Sequence, residues 1–247
     1  MTLPLFLLDA GALDAVSVGG RLVLDGPEGR HAATVRRMRV GEALWVADGA
    51  GRRVTGTIAA VAAATLELAI DQVVDLPAPT PALTLVQALA KADRDEDAIE
   101  AATELGVDRI IPWQAERSVV IWRGERGEKS RRKWADVVRA ATKQSRRAWL
   151  PEVEPAVTTA GLVARVRGAG TAYVLHEEAV EPLVAQRLPD QGEVLVIVGP
   201  EGGIAPGEVE ALTAAGARAV RLGPTVLRSS SAGPAALAVL SAAARWR

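Results

Sequence analysis

An uninterrupted apolar run, Val194–Val198, empties directly into Gly199-Pro200-Glu201-Gly202-Gly203, and Pro206 announces a helix just beyond. A buried strand ending in a glycine turn is how the carboxyl edge of an open α/β sheet meets a ligand, because glycines let backbone groups approach it closely. The turn is therefore a candidate nucleotide site, and it is equally what a tight strand–helix connection looks like. It is neither GxGxxG nor a P-loop, since no Gly-Lys-Ser/Thr follows, so pyrophosphate binding of those kinds is unsupported. A second loop of the same design, Leu222-Gly223-Pro224-Thr225-Val226-Leu227, also follows an apolar strand. It runs through Arg228 into Ser229–Ser231, whose hydroxyls suit the N-cap of the helix that follows. Val198, Leu222 and Leu227, with the glycine backbones, are suitable walls and polar edges for an adenosine group. A third strand end, Leu175-His176-Glu177-Glu178, carries polar side chains that fit either a site or a solvated terminus.

Basic residues gather elsewhere. Between Arg117 and Arg147 stand eleven Lys/Arg against three Asp/Glu, a local charge of +8 in a chain whose net charge is -1. Phosphate backbones are bound chiefly by Lys and Arg, so this polarisation matters more than the acidic pI of about 6.2. A solvated helix face reads the same way. Within it, Arg117, Arg146 and Arg147 are candidates to hold phosphates, and Gln144 can donate and accept at a base edge. Trp113, Trp122 and Trp149 lie in or beside the stretch and suit base stacking or a core equally well.

The elements that must position these residues fall into two groups. Residues 1–76 show short alternating segments (LFLL, RLVL, EALWVAD, RRVTGTIAAV, TLELAIDQVV) between Gly- and Asp-rich turns, which predicts a small β-barrel. Pro77, Pro79 and Pro81 form a stiff boundary. From residue 82 to 247 strands alternate with helices. Strands are expected at 83–90, 109–112, 171–175, 194–198 and 217–222, and helices after a capping box at Asp93 and Glu96 and at about 130–146, 206–215 and 232–246. This is an α/β domain with a mostly parallel sheet.

Composition removes several classes. With no cysteine and only His31 and His176, thiolate metal sites, disulfides and cysteine nucleophiles are excluded, and no metal is expected. The start of the chain lacks a basic leader pattern and no apolar run reaches membrane-spanning length, so a soluble cytoplasmic protein with no membrane partner is expected.

Taken together, Lys91-Ala92-Asp93-Arg94, Ala102–Val107, Ile111-Pro112, Glu116-Arg117-Ser118, Gln144–Arg147, His176-Glu177, Val198–Gly203 and Leu222-Gly223 through Val226-Leu227-Arg228 occur in a familiar order and approximate spacing. With His31, Val35-Arg36-Arg37 and Asp48-Gly49, they resemble the RsmE family of bacterial 16S ribosomal RNA uridine-N3 methyltransferases, in the SPOUT superfamily. The resemblance covers nearly the whole chain.

It implies a PUA-like barrel followed by a methyltransferase domain with a deep trefoil knot that holds S-adenosyl-L-methionine. It also implies a homodimer acting on 16S rRNA of the small ribosomal subunit. Cofactor contact is carried over to Leu175, His176, Val198, Gly199, Glu201, Gly202, Gly203, Leu222, Gly223, Val226 and Leu227. RNA contact is carried over to Arg37, Lys91, Arg94, Arg117, Gln144, Arg146 and Arg147. The family commonly has glutamate where this chain has Ser230, and glycine where it has Ala92. No catalytic base is fixed by this pattern; Glu201 and Glu178 are candidates to take the N3 proton, and Arg147 to stabilise the uridine anion. The alternatives are a SPOUT enzyme acting on a ribose or another base, a non-catalytic RNA-binding protein, and a nicotinamide-dependent oxidoreductase, which the missing GxGxxG disfavours.

Overall fold

The computed structural model describes residues 2–91 and 94–246, and for Arg94 the backbone only. The expected cap at Asp93, the departure at Ala92 and the Arg94 side chain proposed for RNA lie outside the described residues. The chain divides into two compact units: residues up to Ala78 together with Thr142–Leu150, and Pro79–Ala141 together with the residues from Pro151 onward.

In the first unit β1 (Leu5–Leu7), β2 (Arg21–Leu24), β3 (Ala43–Ala47), β4 (Arg52–Val61) and β5 (Leu66–Asp75) form one sheet in the order β1-β3-β4-β5-β2. Strict alternation puts Val54, Ile58, Leu66, Leu68 and Ile70 on one face, where they join Phe6, Leu13, Leu24 and Leu44 in a single apolar cluster. One cluster reached from every strand means a curled sheet, as the alternation predicts. Between β2 and β3 the expectation of turns alone is corrected. The chain forms α1 (Gly26–Arg30), which continues into a π-helical turn at His31–Val35.

A larger correction concerns residues 142–150, which the sequence reading counted with the second domain. Ala148 is buried with Leu5, Leu7 and Ala47, and the Trp149 indole donates to the carbonyls of Leu76 and Pro77 at 3.1 Å. Lys143 Nζ lies 2.7 Å from Glu28 Oε1. A few apolar contacts, two indole hydrogen bonds and a shielded ion pair thus tie a sequence-distant segment to the first sheet.

The second unit is built on β6 (Ala82–Ala88), β7 (Arg109–Gln114), β8 (Glu152–Val153), β9 (Val157–Thr158), β10 (Thr171–Leu175), β11 (Glu193–Val198) and β12 (Arg218–Val220). All pairings are parallel, in the order β12-β10-β11-β6-β7-β8, with β9 also on β7. Strands covered on both faces read as continuous apolar runs, and in β11 every residue from Val194 to Val198 is buried, each contributing roughly 1.5–3 kcal/mol. On one face lie α4 (Thr159–Gly168) and α5 (Pro206–Ala214), packed through Leu162, Val166 and Leu212 against Val86, Ile111, Val174 and Ile197. On the other lie α2 (Arg94–Glu104) and α6 (Ser229–Ala244); the remaining helix is α3 (Gly124–Ser145). α3 starts earlier than expected, and α4 was not expected at all: TAGLVARVRG holds two glycines and buries only Leu162 and Val166. The small side chains of α6 serve its own unit, with Gly233, Pro234, Ala236, Leu237, Leu240 and Ser241 all buried.

Candidate functional site

The carboxyl ends of β6, β10, β11 and β12 gather most of the residues singled out for chemistry. Val198 is buried, and the chain then turns through Gly199–Gly203 before α5. Two glycines are required here. A Cβ on Gly199 would lie 2.5 Å from Ile204 Cγ1, and Gly203 has a φ of +74°, where side chains are strained.

The turn is held from the segments that follow β7 and β6. Arg117 Nη1 donates to the Gly202 carbonyl at 3.1 Å, and the Lys91 amide donates to Glu201 Oε1 at 3.3 Å. Arg117, assigned to RNA by resemblance, thus holds the loop with part of its guanidinium. Glu208, which sequence reasoning missed, is 5% exposed. Its carboxylate accepts from the Glu116 amide at 2.9 Å, Thr159 Oγ1 at 2.6 Å and the Ala205 amide at 3.2 Å. It locks the Glu116-Arg117-Ser118 segment to the start of α5; the signal was a glutamate three residues into a Pro-initiated helix. Beside it a cavity of about 560 Å³ is lined by Gln114, Ser118, Arg123, Thr158, Thr159 and Glu208, among others.

At the end of β10, Leu175 and His176 are half-buried, and the His176 amide donates to Val220 of β12 at 3.0 Å, joining the two strand ends. Glu177 and Glu178 are exposed, and the Glu178 amide donates to His176 Nδ1 at 3.3 Å. In the return segment Leu222 is half-buried, while Gly223, Val226 and Leu227 are exposed, Val226 to 74%. Apolar side chains thus stand in solvent at the same edge of the sheet as the glycine turn, with β10 between the two strands. Lys91, also exposed, ends the β6 edge of this group.

At the start of α2, Asp95 is buried. Burial pushes its carboxyl up to about 6, against hydrogen bonds from the amides of Ala90, Glu96 and its own residue. Among the described residues no cluster of three or more His, Asp or Glu side chains suits a metal ion, and no helix is long and apolar enough to cross a membrane.

The first unit carries the remaining candidates. Arg37, Gln144 and Arg146 are exposed, and Arg37 and Arg146 adopt φ values of +52° and +60°, uncommon for residues with a side chain. Arg147, proposed with Glu201 and Glu178 for catalysis, belongs to this unit and not to theirs. His31 packs edge-on to Phe6 at 5.9 Å, and burial together with the charges of Lys143 and Arg36 lowers its pKa. Of the two roles that suited the tryptophans equally, base stacking or a core, the structure gives them packing roles. Trp113 is fully buried, Trp122 packs at 4.9 Å on buried Trp134, and Trp149 is bonded to Leu76 and Pro77.

This combination, a curled sheet unit and a parallel-sheet unit with glycine loops at its carboxyl edge, matches known proteins along its whole length. A family model described as an RNA methyltransferase domain matches residues 77–241, and one described as an RNA methyltransferase PUA domain matches 24–70. Ribosomal RNA small subunit methyltransferase E of Mycobacterium tuberculosis is 48% identical over 233 residues, 92% of this chain and 89% of the relative. The crystal structure of a Neisseria gonorrhoeae ribosomal RNA small subunit methyltransferase E, bound to S-adenosyl methionine, is 28% identical, covers 98% of each chain and superposes with a TM-score of 0.85. A putative methyltransferase of Legionella pneumophila in complex with the same cofactor is 28% identical over 99% of each chain, with a TM-score of 0.83. The chain belongs to the RNA methyltransferase family, among the ribosomal RNA small subunit methyltransferases E.

Proposed function

We propose that this protein transfers a methyl group from S-adenosyl-L-methionine to N3 of one uridine in 16S rRNA, acting as a homodimer in the cytoplasm. The observation that carries this reading is the glycine turn at Val198–Gly203, pinned by Arg117 and Glu201 at the same edge of a parallel sheet as the exposed return segment. The residues fit such a cofactor: backbone at Gly199, Gly202 and Gly203 can approach a purine edge, and Leu175, Leu222, Val226 and Leu227 supply apolar surface that is not yet buried. The cofactor supplies a methyl already activated by the sulfonium charge.

The chain's task is then positioning and proton management. N3 of uridine carries a proton that must leave, and N3 lies on the pairing edge, so the base has to be unpaired when it reacts. Glu201 and Glu178, both exposed at strand ends, are the carboxylates available to receive it. Glu201 already accepts from the Lys91 amide, which fixes its orientation. Arg37, Gln144, Arg146 and Arg147 of the first unit are the groups for RNA, with Lys91 and the remaining donors of Arg117 in the second. The apolar side chains in solvent at Val226 and Leu227 are the support for a subunit interface at this edge. The test is mass mapping of 16S rRNA from a strain lacking this protein, complemented with the wild type or with Gly202→Val. We expect a lost methyluridine that only the wild type restores. Restoration by Gly202→Val would refute the site, and an unchanged methylation map would refute the activity.

A further inference from the structure

Among the described residues three polar atoms at the carboxyl end of the second sheet are shielded from solvent and meet no hydrogen-bond partner: Ser118 Oγ, which lines the cavity beside Glu208, and Gln87 Oε1 and Ser229 Oγ, which do not line it. Gln87 is completely buried near the end of β6, beside Val198 of β11 and Pro112 of β7. Its Nε2 reaches the adjacent Ala88 carbonyl at 3.3 Å, which leaves the amide oxygen unmatched. A buried acceptor without a donor carries its desolvation cost with nothing in return, so such an atom calls for a reason.

Gln87 Oε1 and Ser229 Oγ belong to elements that pack on each other, β6 and α6. α6 runs against β6. A Cβ on Gly233 would lie 2.9 Å from Leu85 Cδ1 and 3.5 Å from Val198 Cγ2, and further along the helix Arg245 Nε donates to the Pro81 carbonyl at the start of the strand. Gln87 follows Leu85 by two residues, so it is on the same strand face about 6.6 Å further on. Ser229 precedes Gly233 by four residues, so it is on the same helix face about 6 Å further in the same direction. Gly233 also reaches Val198, the register partner of Gln87, so Ser229 lies one helical turn further toward the same carboxyl edge, and no hydrogen bond joins it to Gln87.

Resting on the reading that this edge takes the methyl donor, we propose that Gln87 and Ser229 form a polar subsite for a ribose hydroxyl of the donor's nucleoside. The amide oxygen only accepts, whereas the serine hydroxyl donates and accepts. A hydroxyl inserted between them donates to Gln87 and accepts from Ser229, which satisfies both. The 6-amino group of adenine donates to both and leaves the serine proton unmatched. An ammonium brings a full charge against Leu85 and Val198, where burial penalises it.

The experiment is calorimetry on the full chain with S-adenosylhomocysteine and its 2′-deoxy and 3′-deoxy analogues, for the wild type, Ser229→Ala and Gln87→Met. We expect the wild type to lose about tenfold in affinity for one deoxy analogue. Each variant should bind the parent compound about tenfold more weakly and show no further loss with that analogue, while its melting temperature without ligand stays at the wild-type value or rises. Variants that bind the parent compound like the wild type, or that retain the full deoxy penalty, overturn the subsite. So does a wild type indifferent to both hydroxyls, which points to the amino edge instead. A wild type that binds none of the three compounds overturns the donor reading itself.

Discussion

The two ends of the second unit's sheet are made by the same strands and treated in opposite ways. At the amino end Glu193 of β11 accepts from Thr84 Oγ1 at 2.6 Å and Arg109 Nη1 at 2.8 Å, and Arg165 meets both its oxygens at 2.7 and 2.8 Å. Arg109 also meets Glu154 at 3.0 Å, and Arg245 joins Asp108 and the carbonyls of Gly106 and Pro81. At the carboxyl end Val226 and Leu227 stand in solvent, Gln87 and Ser229 hold unmatched atoms, and the buried carboxyl of Asp95 is pushed toward its neutral form. The amino end pairs its charged groups with one another; the carboxyl end holds its turn and Glu208 by hydrogen bonds but leaves the side-chain oxygens of Gln87, Ser118 and Ser229 unmatched. Local frustration of this kind is what a binding edge costs, and a closed ion network elsewhere can offset it.

The sharpest way to break this comparison is Glu193→Ala. It strands two arginines and a threonine, so we expect a loss of about 2–3 kcal/mol in urea unfolding at pH 7, discounted for partial exposure. Affinity for S-adenosylhomocysteine should not change. Burial alone would raise the Glu193 pKa, but the Thr84 and Arg165 hydrogen bonds and the arginine charges outweigh it and hold it below its ordinary value. A depressed carboxylate adds stability above its unfolded pKa and loses it as pH falls through the folded one. The wild type should therefore lose more stability than Glu193→Gln on acidification below about pH 4. Lost affinity without lost stability would dissolve the division between the ends.

Gly202→Val is the converse. A Cβ there lies 3.4 Å from Arg117 Cβ, ordinary contact, so the melting temperature should hold while affinity for S-adenosylhomocysteine falls at least about tenfold, or 1.4 kcal/mol. A destabilised variant with intact affinity would move the turn to the structural side.

A third measurement asks whether the first unit carries the charge that meets RNA. Arg146→Ala with Arg147→Ala should lower the slope of log affinity against log salt by about 2. An unchanged slope would remove both arginines from the interface.

A fourth measurement concerns Asp95. Its folded pKa, about 6, lies above the ordinary 3.8, so the folded chain binds the extra proton between these values and stability declines as pH rises through that window. Asp95→Asn should match the wild type near pH 4 and exceed it at pH 8 in thermal melts. A gain that is equal at both pH values would assign the effect to packing instead.

How much of this was legible follows from what each residue depends on. The continuous run at 194–198 and the alternation in 52–61 specify their own strands, because burial on two faces or one is written into local pattern. The glycine turn was legible for the same reason: a backbone constraint selects its residue type locally. α4 was not, since Leu162 and Val166 alone face the sheet and the two glycines mask them. The tryptophans were ambiguous because an aromatic ring suits a base or a core equally until its neighbours are known.

By itself the sequence determined the two kinds of sheet, the strands of strong local pattern and the glycine turn at a strand end, all consequences of periodicity and turn chemistry. Only tertiary structure decided that Thr142–Leu150 returns to the first unit, that Glu208 of α5 ties down the Glu116 segment 92 residues earlier, and that the Gln87 amide oxygen is buried without a donor. Each of these rests on a contact between distant segments. Pairing a donor with an acceptor, or leaving it unpaired, depends on where the chain passes in space, and local residue pattern carries no record of that.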